Sequence, residues 1–186
     1  MTTTGQPPGG PGAGAPGVGA PGREATREAT PPRTPRRASP DPPRRPQPID
    51  AGELHHVAVA VPSLDEAIPF YRDLLGYRVD EPRVIADQRV RVAFATRDGS
   101  RVELLEPTDA ESGVARFIAE RGRPTLHHLC FVVDDLAGTL VRLEAEGVEL
   151  VDHTPRRGAL GLVAFLHPHA ANGVLVELID RASLRD

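Results

Sequence analysis

One eight-residue run occurs twice in this chain, and that recurrence constrains the fold more than any other feature. Leu54-His55-His56-Val57-Ala58-Val59-Ala60-Val61 returns 72 positions later as Leu126-His127-His128-Leu129-Cys130-Phe131-Val132-Val133. Both copies are short, apolar and partly β-branched, which suits a strand. Each leads into a helical pattern. The first opens with Ser63 and Glu66 at capping-box spacing, where each side chain would satisfy the other's backbone N–H. It continues through Ala67, Phe70, Tyr71 and Leu74 to a stop at Gly76. Pro69 lies inside it, predicting a kink or a loose turn. The second opens at Asp134 or Asp135, runs through Leu136, Leu140 and Leu143, and stops near Gly147.

Strand-like runs follow each helix, 89–96 and 100–106 in the first half, 160–167 and 173–180 in the second. The closing runs also match, Val102-Glu103-Leu104-Leu105 against Val176-Glu177-Leu178-Ile179, 74 positions apart. Between the halves, 114–121 reads as a connecting helix ended by Gly122. Strand, helix and strands, twice over, predict an α+β domain whose two units set their sheets side by side around a shared cup.

Composition marks where this domain begins. Residues 1–50 hold 13 of the 20 prolines and 8 of the 18 glycines, without a run of large apolar side chains. Such a segment buries too little to offset the entropy of ordering it, so a disordered tail is expected over 1–50 and a domain over 51–186. The tail carries seven arginines against four acids, a net +3, which leaves −7 on the remainder. An acidic domain argues against a nucleic-acid groove, and the Arg-Pro tail is read as a solvated leader. No stretch is apolar for the roughly 18 residues of a membrane span, and no apolar run near the N-terminus suggests secretion. Cys130 is the single cysteine, so no intrachain disulfide is possible and a cytoplasmic location is expected. All 22 basic residues are arginine, which excludes Schiff-base chemistry through lysine.

Strand parity then separates the paired histidines, because successive side chains point to opposite faces. His55 shares a face with bulky Val57, Val59 and Val61, and His56 shares the other with small Ala58 and Ala60. In the second copy His127 goes with Leu129, Phe131 and Val133, and His128 with Cys130 and Val132. The bulky face suits packing under a helix and the small-residue face suits a cavity. His56 and His128 are therefore expected in the cup, and His55 and His127 toward the helix layer or its edge. Glu103 and Glu177 stand in otherwise apolar strands, where an unpartnered carboxylate costs several kcal/mol. Their distances from the histidines nearly agree, 47 and 49 positions. His56, Glu103, His128 and Glu177 thus form a candidate ligand set, suited to Co²⁺, Mn²⁺, Ni²⁺ or Zn²⁺.

Residues 54–180 resemble the methylmalonyl-CoA epimerases. The resemblance rests on the two repeats above and on Phe70-Tyr71 with Leu75-Gly76. It also rests on Glu103-Leu104-Leu105-Glu106-Pro107-Thr108, 115–122, Val133-Asp134-Asp135, 155–159, Ala164-Phe165-Leu166-His167-Pro168 and 173–178. It implies the glyoxalase or vicinal-oxygen-chelate fold, two tandem βαβββ modules (about 54–108 and 126–180) forming a cupped mixed sheet. It further implies one divalent metal on His56, Glu103, His128 and Glu177, with Co²⁺ favoured, a CoA thioester substrate and a homodimer. The implied reaction is epimerisation at C2 through a metal-stabilised enolate, with Glu177 as a catalytic base. Some members carry a second catalytic glutamate after a Gln-Gly-Val turn; here the segment reads Gln88-Arg89-Val90-Arg91-Val92, and Val92 takes that position. The loop 158–163 is one residue shorter than the family's. Arg156 and Arg157 read as a solvated hairpin, with contact to CoA phosphates as the alternative. A glyoxalase-like lyase or isomerase and a metal-free small-molecule binding protein are the competing functions.

Overall fold

The computed structural model describes residues 48–185. Residues 1–47 of the tail expected to be disordered lie outside the described residues. The order is β1 (Ala51–Ala60), α1 (Leu64–Pro69), β2 (Arg78–Val79), β3 (Arg83–Ile85), β4 (Val90–Arg97) and β5 (Ser100–Pro107). Then come α2 (Gly113–Arg121), β6 (Thr125–Val133), α3 (Leu136–Ala145), β7 (Arg156–Arg157), β8 (Leu162–Leu166) and β9 (Leu175–Asp180). All nine strands form one mixed sheet, in the sequence β2-β4-β5-β1-β6-β9-β8-β7 with β3 also on β4. The expected α+β arrangement of two repeated modules is present. Each half pairs its first and last strands in parallel, β1 with β5 and β6 with β9, and the halves meet at the antiparallel seam of β1 and β6.

The alternating pattern of the repeats sorts the core into layers. On the outer face Leu64 of α1 packs with Ala93 and Leu104, while Leu136, Leu140 and Leu143 of α3 pack with Ala164 and Leu178. Inside, Ala58, Val92, Cys130, Val132, Phe165 and Ile179 form a third cluster, joined by Val114 and Phe117 of α2. Each fully buried Leu, Ile or Val contributes roughly 1.5–3 kcal/mol relative to exposure. The connecting helix therefore closes one side of the cup instead of only linking the halves.

Local signals in the sequence act as read, with three differences. Ser63 Oγ accepts from Glu66 N–H at 3.3 Å, one half of the capping box, and it is Glu106, not Glu66, whose carboxylate caps the helix start, accepting from Leu64 N–H at 2.9 Å. At Pro69 the α-helix gives way to a π-turn over Phe70–Leu74, with Leu75 N–H reaching Phe70 O at 3.1 Å, so the proline is absorbed by rewinding. Gly76 (φ 70°) and Gly147 (φ 76°) end the two matched helices in the left-handed region open to glycine. The third difference is an additional interrupted edge strand: β2 and β3 both pair with β4, separated by Asp80-Glu81-Pro82. Pro82 has no N–H for a ladder, which accounts for the break. At the start of the domain, Ile49 packs with the α3 cluster and the Pro48 carbonyl accepts from Arg142.

Candidate metal centre

Sheet register carries the four expected residues to one address. Glu103 of β5 lies beside Ala58, two positions beyond His56 on β1, and Glu177 of β9 lies beside Cys130, two beyond His128 on β6. Across the seam His56 pairs with Cys130 and Ala58 with His128, so the two His–Glu pairs face each other about a local twofold. All four side chains are buried, with 2–7 % of their surface exposed. His56 Nε2 stands 3.2 Å from His128 Nε2, 3.4 Å from Glu103 Oε2 and 3.4 Å from Glu177 Oε2. His128 Nε2 stands 3.6 Å from Glu103 Oε2 and 3.3 Å from Glu177 Oε2. Donors sharing an ion at bonds of about 2.1 Å sit about 3.0–3.4 Å from one another. His56, Glu103 and His128 bring one donor atom each within 4.8 Å of the other two, and Glu177 Oε2 reaches both imidazoles, a near fit to a small divalent cation.

His55 lies outside the cup as expected, while the expectation for His127, away from the cup, is corrected: it lines the cavity. His55 Nδ1 lies 2.8 Å from His56 Nδ1, and His127 Nδ1 lies 2.8 Å from His128 Nδ1. Each thus holds the rear nitrogen of a ligand ring and fixes its orientation. Arg101 Nη1 donates to His55 Nε2 at 2.7 Å. His127 instead sets its ring edge-on to Phe117 of α2, with centroids 4.8 Å apart, and lines the cavity.

Sequence reading passed over a further matched layer. Phe94 stacks edge-on against His56 (5.6 Å) and Phe165 against His128 (5.2 Å). The backbone N–H of each phenylalanine donates to an aspartate 72 positions apart from its counterpart, Asp80 at 3.2 Å and Asp152 at 3.0 Å. Each ring carries an arginine on its face, Arg83 over Phe94 and Arg156 over Phe165. Arg156 also donates to Asp152 Oδ2 at 3.0 Å, so it braces the Phe165 ring from a hairpin position whose side chain is still 38 % exposed.

Charge balance follows from burial and pairing. Burial alone would lower the His56 imidazole, but Glu103 and Glu177 raise it to about 9. Burial would raise the Glu177 carboxyl, yet hydrogen bonds from His128 and His56 hold it well below the carboxylate range. Burial, then the neighbouring ligand histidine, lowers His55 and His127 to about 4 each, so both stay neutral near pH 7. Burial raises the Cys130 thiol, with Glu177 adding to the effect, so it is inert as a nucleophile. Two carboxylates facing two imidazoles favour an added positive charge, met either by a proton or by a metal ion.

The centre opens onto a cavity of about 610 Å³, walled by Val92, Leu105, Phe117 and Phe165, with Arg116 and Arg157 among its polar lining. Val92 does face it, 1 % exposed, so the position to which the resemblance assigns a glutamate in some members is apolar here. The Arg157 carbonyl accepts from Gln88 Nε2 at 3.2 Å and ties the rims of the two halves together.

Comparisons with known proteins agree with this geometry. A family profile described as the Glyoxalase/Bleomycin resistance protein/Dioxygenase superfamily matches residues 55–165. A mitochondrial methylmalonyl-CoA epimerase of Dictyostelium discoideum is 38% identical over 134 residues, 72% of this chain and 81% of that protein. An ethylmalonyl-CoA/methylmalonyl-CoA epimerase of Cereibacter sphaeroides is 40% identical over 129 residues, covering 68% of this chain and 96% of its own length. Among solved structures, methylmalonyl-CoA epimerase of Mycobacterium tuberculosis superposes with a TM-score of 0.64 at 38% identity, over 68% of this chain and 86% of that one. A methylmalonyl-CoA epimerase in complex with methylmalonyl-CoA and NH4+ superposes with a TM-score of 0.65 at 33% identity, over 73% and 99%.

Proposed function

We infer the activity from one premise: this chain belongs to the methylmalonyl-CoA epimerases, within the Glyoxalase/Bleomycin resistance protein/Dioxygenase superfamily. It is an isomerase of the racemase and epimerase class. On our reading it inverts C2 of methylmalonyl-CoA by removing a proton from one face and returning one to the other. The observation that carries it is the meeting of one His and one Glu from each half in a largely apolar cavity.

A divalent ion held by His56, Glu103, His128 and Glu177, Co²⁺ by family resemblance, would supply Lewis-acid stabilisation of negative charge on the substrate oxygens. Glu177 is ionised against the cost of burial and serves as the base that accepts the C2 proton at its carboxylate. Inversion requires a carrier on the opposite side. With Val92 at the position of the relatives' glutamate, Glu103, the cavity's other buried carboxylate, is proposed to hold the second proton; Asp87 and Glu120 line the cavity at exposed positions. His55 and His127 keep the ligand rings from turning, and Val92, Leu105 and Phe165 exclude water from the reacting carbon. Arg157, without an ion pair among the described residues, is proposed to meet the phosphates of the CoA moiety at the rim; Arg156 is already engaged.

A homodimer and a cytoplasmic location complete the proposal, and sedimentation and fractionation test them. Among the described residues no helix is long and apolar enough to cross a membrane. The activity is tested in D₂O: methylmalonyl-CoA should gain deuterium at C2 while inverting, as read by NMR. Silence there with turnover of a hemithioacetal would assign the chain to a glyoxalase-type reaction. A metal-free, chelator-insensitive preparation without either activity would make it a binding protein.

A further inference from the structure

The second half carries another group of donors, away from the cup. Glu149 directly precedes Leu150, whose isolated bridge to Leu166 fixes that segment against the end of β8. His167 N–H donates to the Glu149 carbonyl at 3.0 Å, so Glu149 and His167 are cross-strand neighbours held by backbone. Pro168 then starts a 3₁₀ turn, Pro168–Ala171, that folds His169 back over His167, with ring centroids 4.5 Å apart. Glu149 Oε1 lies 3.4 Å from His167 Nδ1, and Glu149 Oε2 lies 3.4 Å from His169 Nδ1. One donor atom from each residue falls within 4.8 Å of the other two.

As ion pairs these contacts contribute little. The Glu149 and His169 side chains are 56 % and 80 % exposed, and solvent screens exposed pairs. As donors they are placed well: two Nδ1 atoms and a carboxylate bracket one point, and backbone pairing fixes two of the three residues. Two imidazoles and one carboxylate suit borderline divalent ions such as Zn²⁺ or Ni²⁺, with water completing the shell from the open side. His167 Nδ1 accepts from His169 N–H at a long 3.3 Å, a contact that a metal bond would replace.

We propose that Glu149, His167 and His169 form a second divalent-metal site on the outer rim of the second half. An ion there ties the segment before Leu150 to the turn that leads into β9, the strand of Glu177, without touching the cavity. The site is independent of the central ligand set.

The test is calorimetric titration of the full chelated chain with Zn²⁺. The wild type should bind two equivalents per chain. His169→Ala and Glu149→Gln, both at exposed positions, should each remove one equivalent and leave one that depends on His128. A single wild-type equivalent that survives His128→Ala and vanishes in His169→Ala upholds the rim site while overturning the central one. Two equivalents undiminished by His169→Ala, or one equivalent lost in His128→Ala, overturns the proposal.

Discussion

The two halves of the sheet present the same donors to the same point, yet support them differently. In the first, His56 leans on His55, and His55 is held from outside by Arg101. In the second, His128 leans on His127, whose ring meets Phe117 and the cavity. The position matching Arg101 at the 74-residue offset is Leu175, an apolar cavity residue. A guanidinium only donates. His55 Nε2 must therefore accept, and a neutral His55 then carries its proton on Nδ1, facing His56 Nδ1. That arrangement leaves the remaining proton of His56 on Nε2, the nitrogen aimed at the centre, once the imidazole is neutral. While His56 is protonated, as it is below about pH 9, two Nδ1–H groups would face each other, so Arg101 works against that proton. Nothing comparable constrains His127. Duplication thus kept the donor atoms and diversified their backing: the second half is ready to coordinate, while the first must shift a proton.

The largest test of this comparison sets the two glutamates against each other. Glu177→Gln should abolish deuterium exchange at C2, with a loss on the order of 10²–10⁴ expected for a removed acid–base group. Glu103→Gln should retain exchange from one face but lose inversion, which NMR and a coupled assay of the epimerised product would separate. Equal loss of both signals in both variants would remove the division of labour between the halves.

Smaller in scale is the pH dependence of the chelated protein. The His56 pKa rises on folding from an ordinary 6.5 to about 9. Its contribution is therefore complete below pH 6.5 and lost as pH climbs through about 9. The Glu177 carboxyl is depressed, so its contribution is present above the ordinary carboxylate value and lost in acid. Urea unfolding should give less stability at pH 9.5 than at pH 6, by roughly 1–2 kcal/mol. His56 contributes up to about 3 kcal/mol, at roughly 1.4 kcal/mol per tenfold gain in proton affinity on folding. His55 and His127, lowered to about 4, offset part of it because the unfolded chain takes up their protons at pH 6. A metal-loaded sample should not follow this trend, since the ion displaces the proton; a decline of equal size in both would contradict the proton's location.

The smallest effect sharpens the comparison most directly. Arg101→Leu gives the first half the residue type of the second and frees His55 to accept from His56. Metal affinity should rise by up to about tenfold, matching in size the smaller of the losses that removing a favourable partner of a ligating histidine brings. Optical titration with Co²⁺ measures it, and weaker binding in the variant would mean that Arg101 organises the ligand instead of opposing it.

Much of this architecture was readable in the chain itself. Period-two alternation gave the faces of β1 and β6, and the repeat gave the pairing of each histidine with a glutamate, because both depend on residues close in sequence. The support layer was not readable. Asp80 and Asp152 act through the N–H groups of Phe94 and Phe165, and those contacts exist only once distant strands pair. The two arginines that cover these rings are 73 positions apart while the rings are 71 apart, so a fixed offset hides the match. Strands of two or three residues such as β2, β3 and β7 carry too few side chains for periodicity to register. The cavity-facing role of α2 depends on Val114 and Phe117 meeting both halves, which no pattern within the helix reveals.

The seam between β1 and β6 places one imidazole and one carboxylate on each side of it. Neither piece of a chain severed between Arg121 and Thr125 would own more than half a coordination sphere. A cation shared across that joint would act as a clasp, and adding it to the two separated pieces would give them a reason to find each other.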